Sequence, residues 1–448
     1  MQDSPDIADR HDAICVVGAG ASGLASIKNL REHGFAVDCY ERETSVGGAW
    51  NWRHDRSPVY ASTHLISSRP LTEFPDFPMP DTWPDYPHHS QVLSYLERYA
   101  EHFGLGEHIW FGTEVVSAVP VGDGRWDVTT QSTGGGSSRV QRYAGIVIAN
   151  GHNWAPAGPG IEGEFRGRVV HSSAYKDPAT LRNRKVLVIG GGNSGCDIAV
   201  EAAQHATTVW HSTRRGYWYA PKYLFGRPAD QVGERLLKWR LPLRLRQWFY
   251  RRSLALTVGD LTRYGLPAPD HRPFESHPIV NSQLAYYLGH GQIIPVADVA
   301  RFDGGSVELT GGARIEPDLV ITATGYRPSF EFLAPEVLDT DGDGRPDLHL
   351  HAFARKHPTL AVVGLLQPDA GLLPLAHWQS VAVARWLRLR LADPVRAAVV
   401  QQKESSRPTR SWSRRQVVPT RRHWFEVDHV DYLRAVDGLL RAMKESPA

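Results

Sequence analysis

The 448-residue chain has little of what several classes of protein require. Its three cysteines, Cys15, Cys39 and Cys196, form no C-x-x-C pair, which excludes a disulfide scaffold and a thiol–disulfide reductase. A net charge of +2 gives no reason to expect a nucleic-acid partner. No run of apolar residues is long enough for a transmembrane segment, and Met1–Asp12 is too acidic for a signal peptide. We therefore expect a cytoplasmic enzyme of roughly two or three domains.

Two segments of the chain share one pattern: an apolar run, a glycine-rich turn, a helix-like stretch and a second apolar run. The two turns, with the apolar run that precedes each, are Ala13–Val17 before Gly18-Ala-Gly20-Ala-Ser22-Gly23, and Lys185–Ile189 before Gly190-Gly-Gly192-Asn193-Ser194-Gly195. This order of elements is typical of a βαβ unit. The glycines allow a tight turn, close approach of a pyrophosphate and close helix packing, while the phosphates bind at the helix N-terminus. The pattern predicts two dinucleotide sites.

The first turn is followed by an acidic residue at the expected place. Its second apolar run, Ala36–Tyr40, ends at Glu41, which lies 18 residues after Gly23. A carboxylate there can accept hydrogen bonds from ribose hydroxyls. We predict that this first site binds a dinucleotide through Gly18, Gly20, Gly23 and Glu41.

The second turn differs at that same place. Its second run, Thr207–His211, continues into Ser212-Thr-Arg214-Arg215 and carries no acid. Guanidinium groups bind a 2′-phosphate that a carboxylate would repel. The pattern favours NADPH over NADH, and the alternative is that Arg214 and Arg215 are ordinary exposed charges. Two sites on one chain indicate a bound flavin, FAD, and a nicotinamide donor that passes it a hydride.

The positions of the two units predict an α/β fold with two Rossmann-like domains, the NADPH domain being inserted into the FAD domain. We assign residues 1–158 to the FAD domain, 159–315 to the NADPH domain, and 316–448 to the rest of the FAD domain with a helical tail. The apolar strand Asp318–Thr322 is taken as the return to the first domain.

A basic amphipathic excursion is expected at about residues 225–270. Between Gln231 and Ala255, arginines alternate with leucine, tryptophan and phenylalanine. The stretch fits a solvated surface helix, an element lying on a membrane surface, a homodimer contact or a lid over the active site, and sequence leaves these open.

Ahead of the second turn stands Phe165-x-Gly167-x-x-x-His171-x-x-x-Tyr175-Lys176. With this motif the chain resembles the flavin-containing monooxygenases. Further matches to the family are Glu41-Arg42-x-x-x-x-Gly47-Gly48-x-Trp50, Asn193-Ser194, Ala323-Thr324-Gly325-Tyr326 and Phe74-x-Asp76-Phe77-Pro78. The resemblance spans about Asp12 to Leu440. It implies that Ser22, Arg42, Gly48, Trp50, Lys176, Thr324 and Gly325 join the cofactor-binding set. For His171, Tyr175 and Lys176, contact with a ligand and a structural role at a domain hinge both remain open.

The resemblance also implies a mechanism. NADPH reduces FAD, O2 adds at the flavin C4a carbon, and the resulting hydroperoxide gives one oxygen atom to an amine nitrogen or sulfide sulfur of a small substrate. No metal is expected. Baeyer–Villiger relatives typically carry Trp followed by Pro or Asp where this chain has Tyr175-Lys176, so oxygenation of ketones is the weaker alternative.

One departure from the family concerns the residue expected beside the flavin. Where members often carry asparagine, this chain has Ile66, which can donate no hydrogen bond. His64, Ser67 or Ser68 could replace that donor, with Tyr175 as a further catalytic candidate. The departure keeps a second function open, that of a flavin-dependent NADPH oxidase or reductase that releases H2O2.

Overall fold

The computed structural model describes residues 8–238, 241–338, 345–405 and 423–444. Up to residue 150 the chain alternates short strands with helices whose buried faces are apolar. These elements are β1 (Ala8–Val17), α1 (Ala21–Glu32), β2 (Ala36–Tyr40), α2 (Arg69–Thr72), α3 (His89–His102), β3 (Ile109–Trp110), β4 (Thr113–Pro120), β5 (Trp126–Ser132) and β6 (Arg139–Ile148).

The middle of the chain contains the second βαβ unit and a set of short strands and helices that interrupts it. Its elements are β7 (Ala155–Pro156), β8 (Arg168–His171), β9 (Lys185–Ile189), α4 (Asn193–His205), β10 (Thr208–Ser212), β11 (Tyr219–Ala220), β12 (Tyr223–Leu224), β13 (Arg227–Pro228), α5 (Ala229–Lys238), α6 (Leu243–Thr257), β14 (Ile279–Val280), α7 (Leu284–Gly289), β15 (Ile294–Val296), β16 (Val299–Asp303), β17 (Ser306–Leu309), β18 (Arg314–Ile315), β19 (Leu319–Thr322) and β20 (Tyr326–Arg327).

The last part of the chain is mainly helical, as its composition predicts. It comprises β21 (Leu348–His349), β22 (Phe353–Ala354), β23 (Leu360–Val362), β24 (Gln367–Pro368), α8 (Leu372–Ala392), α9 (Pro394–Ser405), β25 (Glu426–Val427) and α10 (His429–Met443). The polar stretch Ser405–Arg415, rich in arginine and serine, lies almost entirely outside the described residues.

The first sheet has the strand order β21-β22-β23-β6-β1-β2-β3, and β4 and β5 extend it from β6. Its centre is parallel, since β1 pairs in parallel with both β2 and β6. Helices α1 and α8 cover one face, and the buried apolar side chains between them form the largest core cluster. The first sheet and the helices that cover it are therefore formed by segments from the beginning and from the end of the chain.

The second sheet is parallel throughout, with the order β15-β10-β9-β19-β8. β19 lies inside this sheet, so the predicted return to the first domain at residue 316 comes too early. A four-residue apolar strand fits the buried parallel centre of either sheet, and its sequence does not show which. The return occurs at β20, which pairs antiparallel with β7, the outgoing connection.

The basic excursion contains helices α5 and α6. Leu245, Trp248, Phe249 and Leu256 are all exposed along α6, whereas its other face packs on the protein through Tyr250, whose ring lies 4.9 Å from that of Phe274. Among the described residues, none of the helices combines the length and apolarity needed to cross a bilayer.

Candidate functional site

The first glycine turn joins β1 to α1 with the geometry a pyrophosphate site needs. Gly18 has φ of +98°, a left-handed conformation that favours glycine. A Cβ atom on Gly23 would lie 1.8 Å from the carbonyl oxygen of Gly18, so helix and turn touch there. Gly20 is the N-cap of α1 and supplies no side-chain cap. The first amides of α1 are thus available to an anionic ligand.

Glu41 lies directly after β2, and its side chain is almost fully buried. Oε2 accepts a hydrogen bond from the amide of Ala19 at 2.7 Å, and Oε1 accepts one from the amide of Glu43 at 2.9 Å. Burial raises the pKa of Glu41, although these backbone donors oppose the shift. Each oxygen keeps a second lone pair for a ribose hydroxyl, so the carboxylate is held in place to accept one.

Residues 48–50 form a short 3₁₀ helix against the first turn. A Cβ atom on Gly48 would lie 2.9 Å from the Cα of Gly20, and Trp50 is half-buried beside it. On another side of the turn, a Cβ atom on Gly364 would lie 2.0 Å from Oγ of Ser22. Three of the predicted cofactor-binding residues therefore lie around the first glycine turn: Ser22, Gly48 and Trp50. A long dinucleotide could contact all three.

The second turn repeats this geometry between β9 and α4. Gly190 has φ of +128°, and a Cβ atom there would lie 2.3 Å from the carbonyl oxygen of Ala323. A Cβ atom on Gly195 would lie 1.9 Å from the carbonyl oxygen of Gly190. Both positions tolerate only glycine, for the same reason as in the first turn.

The N-terminus of α4 is open in the same way. Gly192 is its N-cap and supplies no side-chain cap, while Asn193 and Ser194 begin the helix. The side-chain oxygen of Asn193 accepts a hydrogen bond from the amide of Val280 at 2.8 Å, which holds a neighbouring loop. The open amides of α4 and the half-buried Ser194 remain for a phosphate.

The three arginines predicted to bind cofactors differ in their surroundings. Arg42 donates to Glu114 at 3.2 Å, and Arg215 forms a bidentate pair with Asp270 at 2.9 and 3.0 Å. Arg214 is exposed and has no side-chain partner among the described residues. Arg214 is therefore the better candidate for a 2′-phosphate, because Arg215 would first have to leave its carboxylate.

His171, Thr324 and Gly325 meet where the chain crosses between the two sheets. Nε2 of His171 lies 3.1 Å from the carbonyl oxygen of Gly325, which also accepts the amide of Ala157 at 2.9 Å. The hydroxyl of Thr324 donates to the carbonyl oxygen of Ala157 at 2.6 Å. These groups tie the outgoing connection to the returning one.

Tyr175 and Lys176 lie on the other side of this junction. The Tyr175 hydroxyl donates to Glu201 of α4. The Lys176 ammonium group donates to the carbonyl oxygens of Ser57 and Val59, the latter at 3.0 Å. Burial lowers the pKa of Lys176. Of the two roles left open for the motif, these contacts favour the structural hinge, and the catalytic role of Tyr175 stays a prediction.

The segment with the catalytic candidates runs ahead of α2. Ile66 is 45 % exposed and so faces open space, whereas the Ser67 hydroxyl lies 2.9 Å from that of Thr72. His64 packs edge-on against His88 with ring centroids 4.9 Å apart, and burial lowers its pKa. Ser68 is fully buried. Of these four, His64 and Ile66 are exposed, Ser67 is half-buried and Ser68 is buried.

Sequence reasoning missed Asp197, which lies on α4 two residues after Gly195. Its carboxylate accepts from Asn281 Nδ2 at 2.6 Å and from the hydroxyl of Tyr60, in the first domain, at 3.4 Å. Burial raises the pKa of Asp197 to about 6. An acidic residue near the start of α4, just after the second glycine turn, is visible in the sequence. Its hydrogen-bond partners are not, because they come from distant parts of the chain.

Asp369, Asp428 and His429 lie close enough together to be considered as metal ligands. Nδ1 of His429 lies 2.7 Å from Asp369 and Nε2 lies 2.9 Å from Glu234. Both ring nitrogens are therefore engaged by carboxylates, and the cluster is an ion-pair network.

Comparison with known proteins gives the chain its family. A sequence model of the family described as flavin-binding monooxygenase-like matches residues 11–447. The chain belongs to this family. It is 34 % identical over 406 residues to flavin-containing monooxygenase 5 of Oryctolagus cuniculus, covering 84 % of this chain and 72 % of that protein. It is 33 % identical over 394 residues to flavin-containing monooxygenase 1 of Homo sapiens, covering 83 % and 72 %.

Solved structures share the fold. S-allyl-L-cysteine S-oxygenase from Allium sativum superposes with a TM-score of 0.65 at 22 % identity, over 99 % of this chain and 90 % of that one. A cyclohexanone-bound cyclohexanone monooxygenase superposes with a TM-score of 0.67 at 19 % identity, over 88 % and 91 %. The resemblance predicted from the motifs is confirmed, and the chain is a flavin-dependent monooxygenase with an α/β fold.

Proposed function

We propose that the chain is an NADPH-dependent oxygenase that transfers one atom of O2 to an amine nitrogen or a sulfide sulfur of a small organic substrate. One observation carries this: two helices, α1 and α4, each begin at an uncapped glycine turn, and each turn follows a parallel strand of a separate sheet. Such a pair of helix N-termini suits two dinucleotides that exchange a hydride.

The first turn fits FAD. The uncapped amides of α1 would hold the pyrophosphate and Glu41 the ribose, since both sites are built from groups already fixed by the backbone. Bound FAD supplies the redox chemistry, taking a hydride from NADPH and reacting with O2. The chain's own groups bind the cofactor, orient it and exclude water around it.

The second turn fits NADPH. The amides of α4 would hold its pyrophosphate, and the exposed Arg214 at the end of β10 would bind the 2′-phosphate. His171 and Lys176 fix the angle between the two sheets through their contacts with Gly325 and Val59. They would thereby set how closely the two cofactors meet.

The proposed substrate class follows from the absence of a strong acid or base among the side chains of residues 64–68. Burial lowers the pKa of His64, which favours its neutral form, and the other side chains carry no charge. A nitrogen or sulfur lone pair needs no such help to take up an oxygen atom. The relatives named flavin-containing monooxygenase, and the structural likeness to an S-oxygenase, support the same class.

Release of H2O2 is a second candidate outcome. Ile66 is exposed to the space beside the segment and offers no hydrogen-bond donor. An oxygen species that lacks one donor would decay to H2O2 more readily.

The test is to supply NADPH and O2 with a tertiary amine, a thioether or a cyclic ketone, and to measure oxygenated product and H2O2 for each NADPH consumed. The proposal expects N-oxide or sulfoxide as the main product. Ester from the ketone alone, or H2O2 alone with every substrate, would contradict it.

The proposed compartment is the cytoplasm. Cys15, Cys39 and Cys196 are buried and form no disulfide, which fits a reducing environment. Locating the tagged chain in fractionated cells tests this.

A further inference from the structure

Helix α5, from the basic excursion, makes a direct contact with the segment that carries the catalytic candidates. The backbone amide of Ser68 donates to Oδ2 of Asp230 at 2.5 Å. Ser68 has no exposed surface, and a buried amide that loses its acceptor is destabilised. The Asp230 carboxylate therefore holds the backbone at this point, although 162 residues separate the two.

Two neighbouring contacts act on the same segment. Nε2 of Gln231 donates to the Ser68 hydroxyl at 3.3 Å, and Nζ of Lys222 donates to the carbonyl oxygen of Leu65 at 3.3 Å. The segment is thus held by its backbone at both sides of Ile66. Asp230 and Gln231 belong to α5 within the excursion, and Lys222 lies just before the excursion begins.

The same helix is anchored one turn further along. Glu234 lies four residues after Asp230, hence on the same face of α5. Its carboxylate lies 2.9 Å from Nε2 of His429, whose Nδ1 lies 2.7 Å from Asp369. Burial lowers the pKa of His429, but hydrogen bonds to both carboxylates more than offset this and raise it to about 10. At neutral pH a charged imidazolium therefore joins α5 to the start of α10.

We propose that α5 is a positioning element for residues 65–68, with Asp230 and His429 as its positioning residues. The inference rests on the proposed function, which puts these residues beside the reacting oxygen. With α5 docked, the backbone beside Ile66 is held in one position. With α5 released, the segment moves and reducing equivalents are lost as H2O2.

A lid was one of the roles that the sequence left open for the basic excursion. The contact involves three groups, Asp230, Glu234 and His429, and none of the arginines of α6. The exposed side chains of α6 face away from the protein and take no part in this contact.

The test compares Asp230→Ala, Asp230→Asn and Glu234→Gln with wild type, all loaded with FAD. Glu275→Gln is the matched control, because Glu275 lies just after the excursion and accepts a hydrogen bond from the nearby amide of Arg272. The rate of hydrogen exchange in the peptide covering residues 65–72 reports whether the segment is held in place. The ratio of H2O2 formed to NADPH consumed reports how well NADPH oxidation is coupled to product formation. The KM for NADPH reports whether the NADPH site is affected.

Asp230→Ala should speed exchange of the peptide by roughly tenfold or more and raise the H2O2 share, with the KM for NADPH unchanged within about twofold. Asp230→Asn keeps an acceptor oxygen and should show smaller changes in both. Glu234→Gln leaves the Ser68 contact in place, so it keeps the inference testable if Asp230→Ala fails to fold. Glu275→Gln should match wild type.

Unchanged exchange in Asp230→Ala would overturn the inference, and so would faster exchange with unchanged coupling, because α5 would then be only a structural support. Failure of the proposed function looks different. It appears in the wild type itself, as NADPH consumption without any oxygenated product.

Discussion

A Cβ atom on Gly23 would lie 1.8 Å from the carbonyl oxygen of Gly18, whereas one on Gly20, in the same turn, would meet nothing closer than the Cα of Gly48 at 3.6 Å. The protein itself therefore requires glycine at position 23, whereas at position 20 the protein leaves room for a side chain and only a bound ligand would require glycine. The two positions separate folding from cofactor binding.

We predict that Gly20→Ala folds normally but binds FAD at least about tenfold more weakly, because its methyl group points to where the pyrophosphate must approach. Flavin absorbance of the purified protein and circular dichroism check this. Gly23→Ala is the comparison, since it should lose folded yield as well as flavin. A Gly20→Ala protein with full flavin content would contradict the assignment of this turn.

Arg214→Ala should raise the KM for NADPH roughly tenfold to a hundredfold and leave that for NADH unchanged, because only NADPH carries the 2′-phosphate. Arg215→Ala is the matched control. Its guanidinium group is held by Asp270, so we expect a smaller effect on NADPH. Equal weakening of both coenzymes by Arg214→Ala would count against the phosphate contact.

His429 predicts a pH dependence of stability. Its pKa in the folded chain is raised to about 10, above roughly 6.5 in the unfolded chain. Its stabilising contribution is therefore complete below about pH 6.5 and is lost as the pH rises through 10. The charges facing His429 are the carboxylates of Asp369, Glu234 and Asp428.

The measurement is the free energy of unfolding in urea at pH 7 and pH 10.5, for wild type and His429→Gln. The variant should be about 2 kcal/mol less stable at pH 7, and the difference should shrink at pH 10.5. A difference that does not change with pH would mean that the imidazolium charge does not hold α5.

Ile66→Asn should lower the share of NADPH that ends as H2O2, by up to about tenfold if the new amide reaches the reacting oxygen. Ile66→Leu keeps the size of the side chain and adds no donor, so it should behave as wild type. Peroxide and oxygenated product are measured together. A wild type that already couples NADPH fully to product would leave this prediction without a basis.

Local physics explains which parts were predictable. The glycine turns, Glu41 and the strands beside them follow from contacts within one βαβ unit, so their residue types alone reveal them. Which sheet β19 joins depends on its pairing with β8 and β9. The sequence of a short apolar strand does not identify the strands that it pairs with. The boundary at residue 316 was wrong for this reason.

The junction contacts were hidden for another reason. Lys176 binds carbonyl oxygens 117 and 119 residues away, and Asp230 binds an amide 162 residues away. Every residue carries a backbone carbonyl group and nearly every residue a backbone amide, so no sequence motif identifies the ones that form these hydrogen bonds. The family motif located Lys176 without showing its role, and Asp230 had no signal at all.

Isotope labelling shows directly which source supplies the transferred oxygen atom. Wild-type protein is given NADPH, a thioether and ¹⁸O2 in ordinary water, and the sulfoxide is examined by mass spectrometry. We predict one ¹⁸O atom in each molecule of sulfoxide and no label from water. Sulfoxide carrying oxygen from water, or full consumption of NADPH with labelled H2O2 and no sulfoxide, would contradict a monooxygenase acting on soft nucleophiles.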